Sequence, residues 1–226
     1  IRTQEQALTG KGRGLNTVAL PEMKKGKVFL SFVTMLARST GRAVDYIDYR
    51  STAQAYAVAQ GQLAYYRALE QQGHVRVIEN KTALESHLND WQQEDVAKLP
   101  LGFVLSMEGA DPILEPEQLE LWYTQGLRLL GPTHYGPGRY AGGTATELGL
   151  TDLGKPLLKE MSRLGVLLDM THFSDPSFWQ ALEHYEGLVL ASHNNARNLV
   201  PHQRQFSDEQ LKAIFARDGV VGVALD

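Results

Sequence analysis

The sequence predicts an α/β barrel of the (β/α)8, TIM-like type, because apolar runs of strand length alternate with amphipathic helical patterns. The runs VLS, LLG and LLDM have the continuous apolar character of strands that are covered on both faces. Four successive apolar runs end in a side chain that can bind a metal ion or a substrate. Since the active site of a parallel barrel lies at the carboxyl ends of its strands, this arrangement is typical of a barrel enzyme.

The predicted strands are 27–36, 75–78, 101–107, 127–133, 166–171, 187–192 and 219–225. The predicted helices are 52–72, 82–91, 115–125, 152–164, one that starts at Pro176 with Asp175 as its N-cap, and 208–217 with a capping box of Ser207 and Gln210. Residues 1–20 are predicted to form an arm or loop. Seven strands are one fewer than a closed eight-stranded barrel needs, so a doubly wound open sheet is the alternative fold. The length favours a single domain over 1–226.

The composition narrows the choice of partners and ligands. A net charge of −4 without any cluster of Lys or Arg argues against nucleic acid or an anionic membrane surface as a partner. Because the chain has no cysteine, a bound metal must be held by His, Asp or Glu. No apolar run reaches the roughly 18 residues of a membrane span. We expect a soluble protein, either cytoplasmic or, if a leader has been removed, periplasmic or secreted.

Two histidines have the placement of metal ligands. His172 and His193 each follow a predicted strand and are 21 residues apart, which is one strand–helix–strand step. Their rings are therefore expected to project from neighbouring strands, and neutral imidazoles on adjacent rigid elements are natural ligands for zinc or a similar ion. The alternative is that each is a strand-end histidine that binds a backbone carbonyl.

Two further residues follow predicted strands. Glu108 precedes Gly109, which allows a sharp backbone turn, and a carboxylate in this place can bridge two metal ions. A helix-capping or surface glutamate is the alternative. His134 precedes a loop rich in Gly and Thr, residues 134–149, where its ring can polarise a substrate oxygen or simply hold the loop in place.

Arg204 lies in a loop after a predicted strand, where a guanidinium can clamp a substrate carboxylate; a surface arginine is the alternative. Asp169 lies inside a strand, and we expect it to support His172 structurally. The remaining histidines have helix or loop contexts and are predicted to be surface residues: His74, His87, His184 and His202.

The local sequences at the candidate residues are SMEGAD around Glu108, PTHYG around His134, RLGVLLDMTHFSD around His172, and SHNNARNLVPHQR from Ser192 to Arg204. Together they resemble the membrane (renal) dipeptidase family of zinc metallopeptidases. Order and spacing agree at all four places. The resemblance implies a barrel of the metal-dependent hydrolase type with a two-zinc site that hydrolyses dipeptides, some members also accepting D-residues or a β-lactam.

The resemblance also implies residue roles. Glu108 would be the carboxylate that bridges both metal ions, and His172 and His193 would bind the second ion. His134 would be catalytic, contacting the substrate carbonyl oxygen and stabilising the tetrahedral intermediate. Arg204 would help to bind the carboxylate of the dipeptide substrate.

The sequence departs from the family pattern at two places. A His-x-Asp motif supplies two more ligands in the family, and nothing before Glu108 has that pattern. The family's catalytic Asp at the end of its last strand also has no counterpart, since Asp226 follows an earlier strand. We therefore expect a barrel incomplete at both ends, reduced occupancy of the two zinc ions, and open sheet edges that favour a homodimer. Another metal-dependent amidohydrolase, acting on a small amide or lactone, and a catalytically inactive barrel are the alternative functions.

Overall fold

The computed structural model describes residues 18–41, 46–92 and 98–224, which divide into two compact units. The first unit contains the chain up to Val33 and Leu63–Leu105, and the second contains Thr34–Gln62 and the chain from Ser106 onward. The predicted arm lies outside the described residues over 1–17. The prediction of one domain over 1–226 stays a prediction.

Seven strands occur in the described part of the chain, namely β1 Leu30–Met35, β2 Val75–Val77, β3 Leu101–Glu108, β4 Leu127–Gly131, β5 Leu167–Asp169, β6 Val189–Ala191 and β7 Val220–Val221. The α-helices there are α1 Leu20–Lys25, α2 Thr52–Gln71, α3 Lys81–Trp91, α4 Leu119–Thr124, α5 Gly154–Leu164, α6 Asp175–His184 and α7 Asp208–Phe215. Each predicted strand is confirmed, although most are shorter than the apolar run that predicted them. The predicted helix 115–125 starts as a 3-10 turn, Pro116–Gln118, before α4.

The first unit packs β2 and α3 against the start of β3. Strand β2 pairs in parallel with β3, so that Val75 lies opposite Leu101 and Val77 lies opposite Phe103. His87 of α3 is wholly buried, and its Nε2 lies 2.9 Å from the carbonyl oxygen of Phe29. The prediction that His87 is a surface residue was wrong, because the face of α3 that carries it packs inward.

The second unit contains a regular parallel series of strands. Strand β4 pairs in parallel with β5, β5 with β6, and β6 with β7. The order of hydrogen-bonded strands in the described chain is β1-β3-β4-β5-β6-β7, with β2 also against β3. From β3 onward the order follows the chain without the reversal that a doubly wound sheet requires. The carboxyl ends of β3 to β6 consequently lie side by side.

Helix boundaries follow local capping chemistry. The capping box is confirmed, since the Ser207 hydroxyl accepts the Gln210 backbone N–H and the Gln210 side chain accepts the Ser207 N–H. Asp175 is not the N-cap of α6; the Ser174 hydroxyl has this role by accepting the Ser177 N–H. The Asp175 carboxylate instead forms a bidentate ion pair with Arg197, at 2.7 and 2.8 Å.

No helix in the described ranges combines the length and apolar character that crossing a membrane requires. The expected homodimer stays a prediction.

Candidate metal centre

The ends of four strands bring one carboxylate and three imidazoles together in the second unit. Glu108 is the last residue of β3, His134 follows β4, His172 follows β5 and His193 follows β6. The Oε1 atom of Glu108 lies 3.1 Å from Nε2 of His172, 3.3 Å from Nε2 of His193 and 3.8 Å from Nε2 of His134. Three histidines predicted separately from the sequence therefore surround one oxygen of the predicted carboxylate.

The spacing of three of these atoms fits a metal ion. The ligand atoms of Glu108, His172 and His193 all lie within 4.8 Å of one another. Two ligands that are each about 2 Å from a tetrahedral zinc ion lie roughly 3.3 Å apart. The separations of Glu108 from His172 and His193 match this value, whereas His134 is farther away.

Two turns aim the side chains at this point. Gly109 has φ +85°, a conformation that a glycine adopts without steric cost, and it directs the chain away directly after Glu108. His172 has φ +71°, in the left-handed region that is uncommon for residues other than glycine. Strain of this kind is concentrated at functional sites, where the surrounding structure enforces it.

The protonation states suit metal binding. Burial alone would raise the pKa of the Glu108 carboxyl, but hydrogen bonds from His172 and His193 in their protonated form, together with the charges of protonated His172 and His134, hold that pKa well below its usual range. Burial lowers the pKa of the His172 imidazole, and it lowers the pKa of His134 to about 4. At neutral pH the Glu108 carboxyl is therefore ionised and the imidazoles of His172 and His134 are neutral, and a neutral imidazole is the form in which His172 can bind a metal.

Hydrogen bonds behind His193 determine which ring nitrogen carries the hydrogen. The Ser192 hydroxyl donates to the Asp169 carboxylate at 2.5 Å and lies 2.7 Å from Nδ1 of His193. Because the only hydroxyl hydrogen goes to Asp169, the serine oxygen accepts from Nδ1–H, which leaves a lone pair on Nε2. Asp169 thus supports His193 through Ser192, and not His172 as predicted.

His172 has an equivalent partner. The Thr144 hydroxyl donates to the carbonyl oxygen of His172 at 3.3 Å and lies 3.1 Å from Nδ1 of the same residue. It therefore accepts from Nδ1–H, and Nε2 again presents a lone pair. In these tautomers the two imidazole lone pairs face the buried Oε1 atom of Glu108, at 3.1 and 3.3 Å. Such a cluster of acceptors fits a divalent cation.

Arg204 also reaches this centre. Its Nη2 donates to the carbonyl oxygen of His193 at 2.7 Å. Together with burial, the positive charge of Arg204 lowers the pKa of both His134 and His172. The structure therefore places the predicted carboxylate-binding residue beside the histidine cluster.

Arg38 is a residue of this centre that sequence reasoning missed. Its Nη1 lies 2.9 Å from Nδ1 of His134, and its Nη2 forms an ion pair with Asp48 at 3.1 Å. Arg38 follows the end of β1 by three residues, and so has the same placement after a strand as the predicted residues. Its position shortly after a predicted strand is the sequence feature that could have identified it.

Asp111 is a buried carboxyl near this centre, and its titration gives a test of stability. It accepts the backbone N–H of Arg139 at 3.1 Å, and burial raises its pKa to about 6. Between about pH 4 and pH 6 the folded state keeps a proton that the unfolded state releases, so the free energy of unfolding falls as the pH rises through this window. We expect Asp111→Asn to remove about 2.4 kcal/mol of this fall, as measured by urea unfolding at pH 4 and pH 7.

The control for the Asp111 experiment is Asp152→Asn, which changes an exposed carboxylate of the same unit. Its unfolding free energy should follow that of the wild type at both pH values. Equal pH dependence in Asp111→Asn and the wild type would contradict the prediction.

A parallel α/β sheet with a carboxylate and imidazoles at its strand ends is typical of metal-binding barrel hydrolases. The chain belongs to the membrane dipeptidase family, peptidase family M19, whose model matches residues 4–226. The resemblance seen in the sequence is thereby confirmed.

Solved relatives share the fold over nearly the whole chain. Dipeptidase AC, a metallo peptidase of family M19, has a TM-score of 0.77 and 28% identity, and the match covers 95% of this chain and 64% of that one. A metallo peptidase from Rhodobacter sphaeroides, solved with a phosphinate mimic of the dipeptide L-Ala-D-Ala, has a TM-score of 0.76 and 26% identity over 95% of this chain and 66% of that one. The predicted TIM-like α/β barrel class is confirmed.

A curated relative extends the comparison. The uncharacterized protein in the PQQ-III 3′ region of Acinetobacter calcoaceticus is 34% identical over 143 residues, which are 59% of this chain and 45% of that protein. The chain spans about half the length of this relative and of a second one, 45% of the first and 49% of the uncharacterized protein in the pqqA 5′ region of Klebsiella pneumoniae.

Proposed function

We propose that the protein is a zinc-dependent dipeptidase that hydrolyses the peptide bond of a dipeptide. Glu108, His172 and His193 hold the metal in this proposal. The observation that carries it is the convergence of one ionised carboxylate and two imidazole lone pairs on a common point. When bound, zinc supplies Lewis acidity and lowers the pKa of water enough to provide a nucleophile at neutral pH.

The other residues of the centre act on the substrate. The Nε2 atom of His134 lies 3.8 Å from Oε1 of Glu108, where it can donate a hydrogen bond to the substrate carbonyl oxygen as negative charge develops on that oxygen. The Arg204 guanidinium binds the carboxylate at the end of the dipeptide, which fixes the length of the substrate. The dipeptide mimic bound by the Rhodobacter sphaeroides relative supports this class of substrate.

The proposal also concerns the number of ions. The Glu108 carboxylate has two oxygens and can bridge a pair of ions, as in the two-zinc site that the resemblance implies. The described residues contribute three ligand side chains to the cluster, and these suffice to anchor one ion. Metal content per chain, measured by mass spectrometry, distinguishes one zinc ion from two.

The role of Arg204 provides the test of substrate class. Charge-assisted hydrogen bonds contribute about 1.5–3 kcal/mol each, so Arg204→Ala should raise KM for L-Ala-L-Ala by about 10- to 100-fold. The same variant should leave KM for the corresponding dipeptide amide, which has no carboxylate, within about threefold of the wild type. Steady-state kinetics with both substrates measure the difference.

Arg204→Lys is the matched variant, since it keeps the charge but loses the bidentate geometry. Its KM for L-Ala-L-Ala should lie between those of the wild type and Arg204→Ala. An equal loss with the dipeptide and its amide would contradict a carboxylate-binding role. If the protein hydrolyses small amides or lactones independently of Arg204 and does not hydrolyse dipeptides, the alternative of a different metal-dependent amidohydrolase is favoured. Absence of both zinc and turnover would favour an inactive barrel.

A further inference from the structure

We propose that Arg38 is a positioning residue that holds His134 in the tautomer with its hydrogen on Nε2, making this imidazole a hydrogen-bond donor and not a third histidine ligand. The use of the donor on a substrate carbonyl rests on the proposed function. The tautomer itself follows from contacts among the residues of this chain.

The first step is the polarity of the contact between Arg38 and His134. Nη1 of Arg38 lies 2.9 Å from Nδ1 of His134 and 3.3 Å from the carbonyl oxygen of Tyr135. A guanidinium has only donors, so Nδ1 of His134 must accept. A neutral imidazole carries one hydrogen, and this hydrogen is therefore on Nε2, which faces Glu108.

The second step is the contrast with the other two imidazoles. His172 and His193 are each backed by a hydroxyl, Thr144 or Ser192, whose hydrogen is used elsewhere, so each donates from Nδ1 and presents a lone pair at Nε2. Three imidazoles thus turn the same atom towards one carboxylate oxygen, two as acceptors and one as a donor. The hydrogen-bond partner at Nδ1 of each ring decides whether its Nε2 accepts or donates.

The third step is the rigidity of Arg38. Its side chain and that of Asp48 are 3% and 1% exposed and form an ion pair at 3.1 Å. Asp48 also accepts the backbone N–H of Thr40 at 2.9 Å and its hydroxyl at 2.5 Å. The backbone of Arg38 bonds to that of Ile47 and Tyr49 on both sides of Asp48. The guanidinium therefore has a fixed direction when it meets His134.

The buried ion pair between Arg38 and Asp48 is not explained by its contribution to stability. Desolvation of the two charges offsets much of their attraction, and replacement by apolar residues is often neutral or stabilising. A fixed, permanently protonated donor behind a histidine is a property that apolar residues cannot supply. Without Arg38 the His134 ring can move its hydrogen to Nδ1 and offer a lone pair from Nε2 to the cation.

Long-range ¹H–¹⁵N NMR of histidine rings tests the tautomer directly. The protein is labelled with ¹⁵N-histidine and studied both zinc-loaded and metal-free at slightly alkaline pH, and the His134 signals are assigned by their loss in His134→Gln. We expect His134 to carry its hydrogen on Nε2, and metal-free His172 and His193 to carry it on Nδ1. Hydrogen on Nδ1 of His134 in the wild type would overturn the inference.

Variants of Arg38 test the cause. Arg38→Lys keeps an obligate donor and should keep the Nε2–H tautomer, whereas Arg38→Met should lose it. Because Arg38→Met leaves Asp48 buried without its partner, the double variant Arg38→Met/Asp48→Leu removes both charges and provides a second measurement. A His134 tautomer that stays unchanged in every folded variant without a donor at position 38 would refute the positioning role.

Kinetics separate positioning from a merely structural role. Arg38→Met should lower kcat for L-Ala-L-Ala by about 100-fold, with KM within about threefold, and Arg38→Lys should restore most of kcat. A loss that Arg38→Lys does not restore would contradict the inference. If no dipeptide is hydrolysed by the wild type, the proposed function fails while the NMR result still decides the tautomer.

Discussion

Glu108→Gln is expected to remove bound zinc and dipeptide hydrolysis together. Glutamine has nearly the shape of glutamate but no charge, so the cation loses the one anionic ligand among the three clustered side chains. A Lewis-acid ion contributes several kcal/mol of transition-state stabilisation, and at about 1.4 kcal/mol for each tenfold the rate should fall by about 1,000-fold or more. Metal content after dialysis and the initial rate with L-Ala-L-Ala measure the two effects.

The control for this experiment is Glu186→Gln, which changes an exposed carboxylate in the same unit and should affect neither quantity. Thermal unfolding of metal-free Glu108→Gln shows whether the fold persists. Zinc bound to Glu108→Gln at the wild-type stoichiometry would contradict the assignment of Glu108 as a ligand.

His134→Ala is expected to lower kcat by about 100- to 1,000-fold while zinc remains bound. This is the size of the loss when one donor to a developing oxyanion is removed. The metal should remain because Nε2 of His134 is the most distant of the three ring atoms, 3.8 Å from Glu108 Oε1, and carries a hydrogen in the proposed tautomer. Steady-state kinetics and metal analysis of the same preparation give both results.

The matched control is His184→Ala, which removes a histidine at the end of α6 and should leave kcat and metal content unchanged. His134→Gln retains an N–H donor and should recover part of the lost activity. If His134→Ala loses its zinc, His134 is a metal ligand and the division of roles among the three histidines is wrong.

The strand-end residues could be predicted because their information is local. Glu108, His172 and His193 each follow an apolar run, and parallel strands bring their carboxyl ends to one edge of a sheet. The capping box at Ser207 and the helix end at Gly165, with φ +71°, are equally local. Patterns of this kind span a few residues and need no knowledge of the tertiary fold.

The partners behind the imidazoles could not be predicted in this way. Arg38 is 96 residues from His134, and Thr144 is 28 residues from His172. The support from Asp169 goes to His193 because Ser192 lies between them, although His172 is closer in sequence. The burial of His87 also depends on the packing of the face of α3 that carries it.

The sequence by itself determined the class of fold and the residue that stands at the end of each strand, because apolar periodicity and turn chemistry act over short distances. The tertiary structure decided which nitrogen of each imidazole carries a hydrogen, since that depends on donors and acceptors brought in from distant segments. Residues of one type, following neighbouring strands, consequently differ in chemistry: His172 and His193 present lone pairs, and His134 presents a hydrogen.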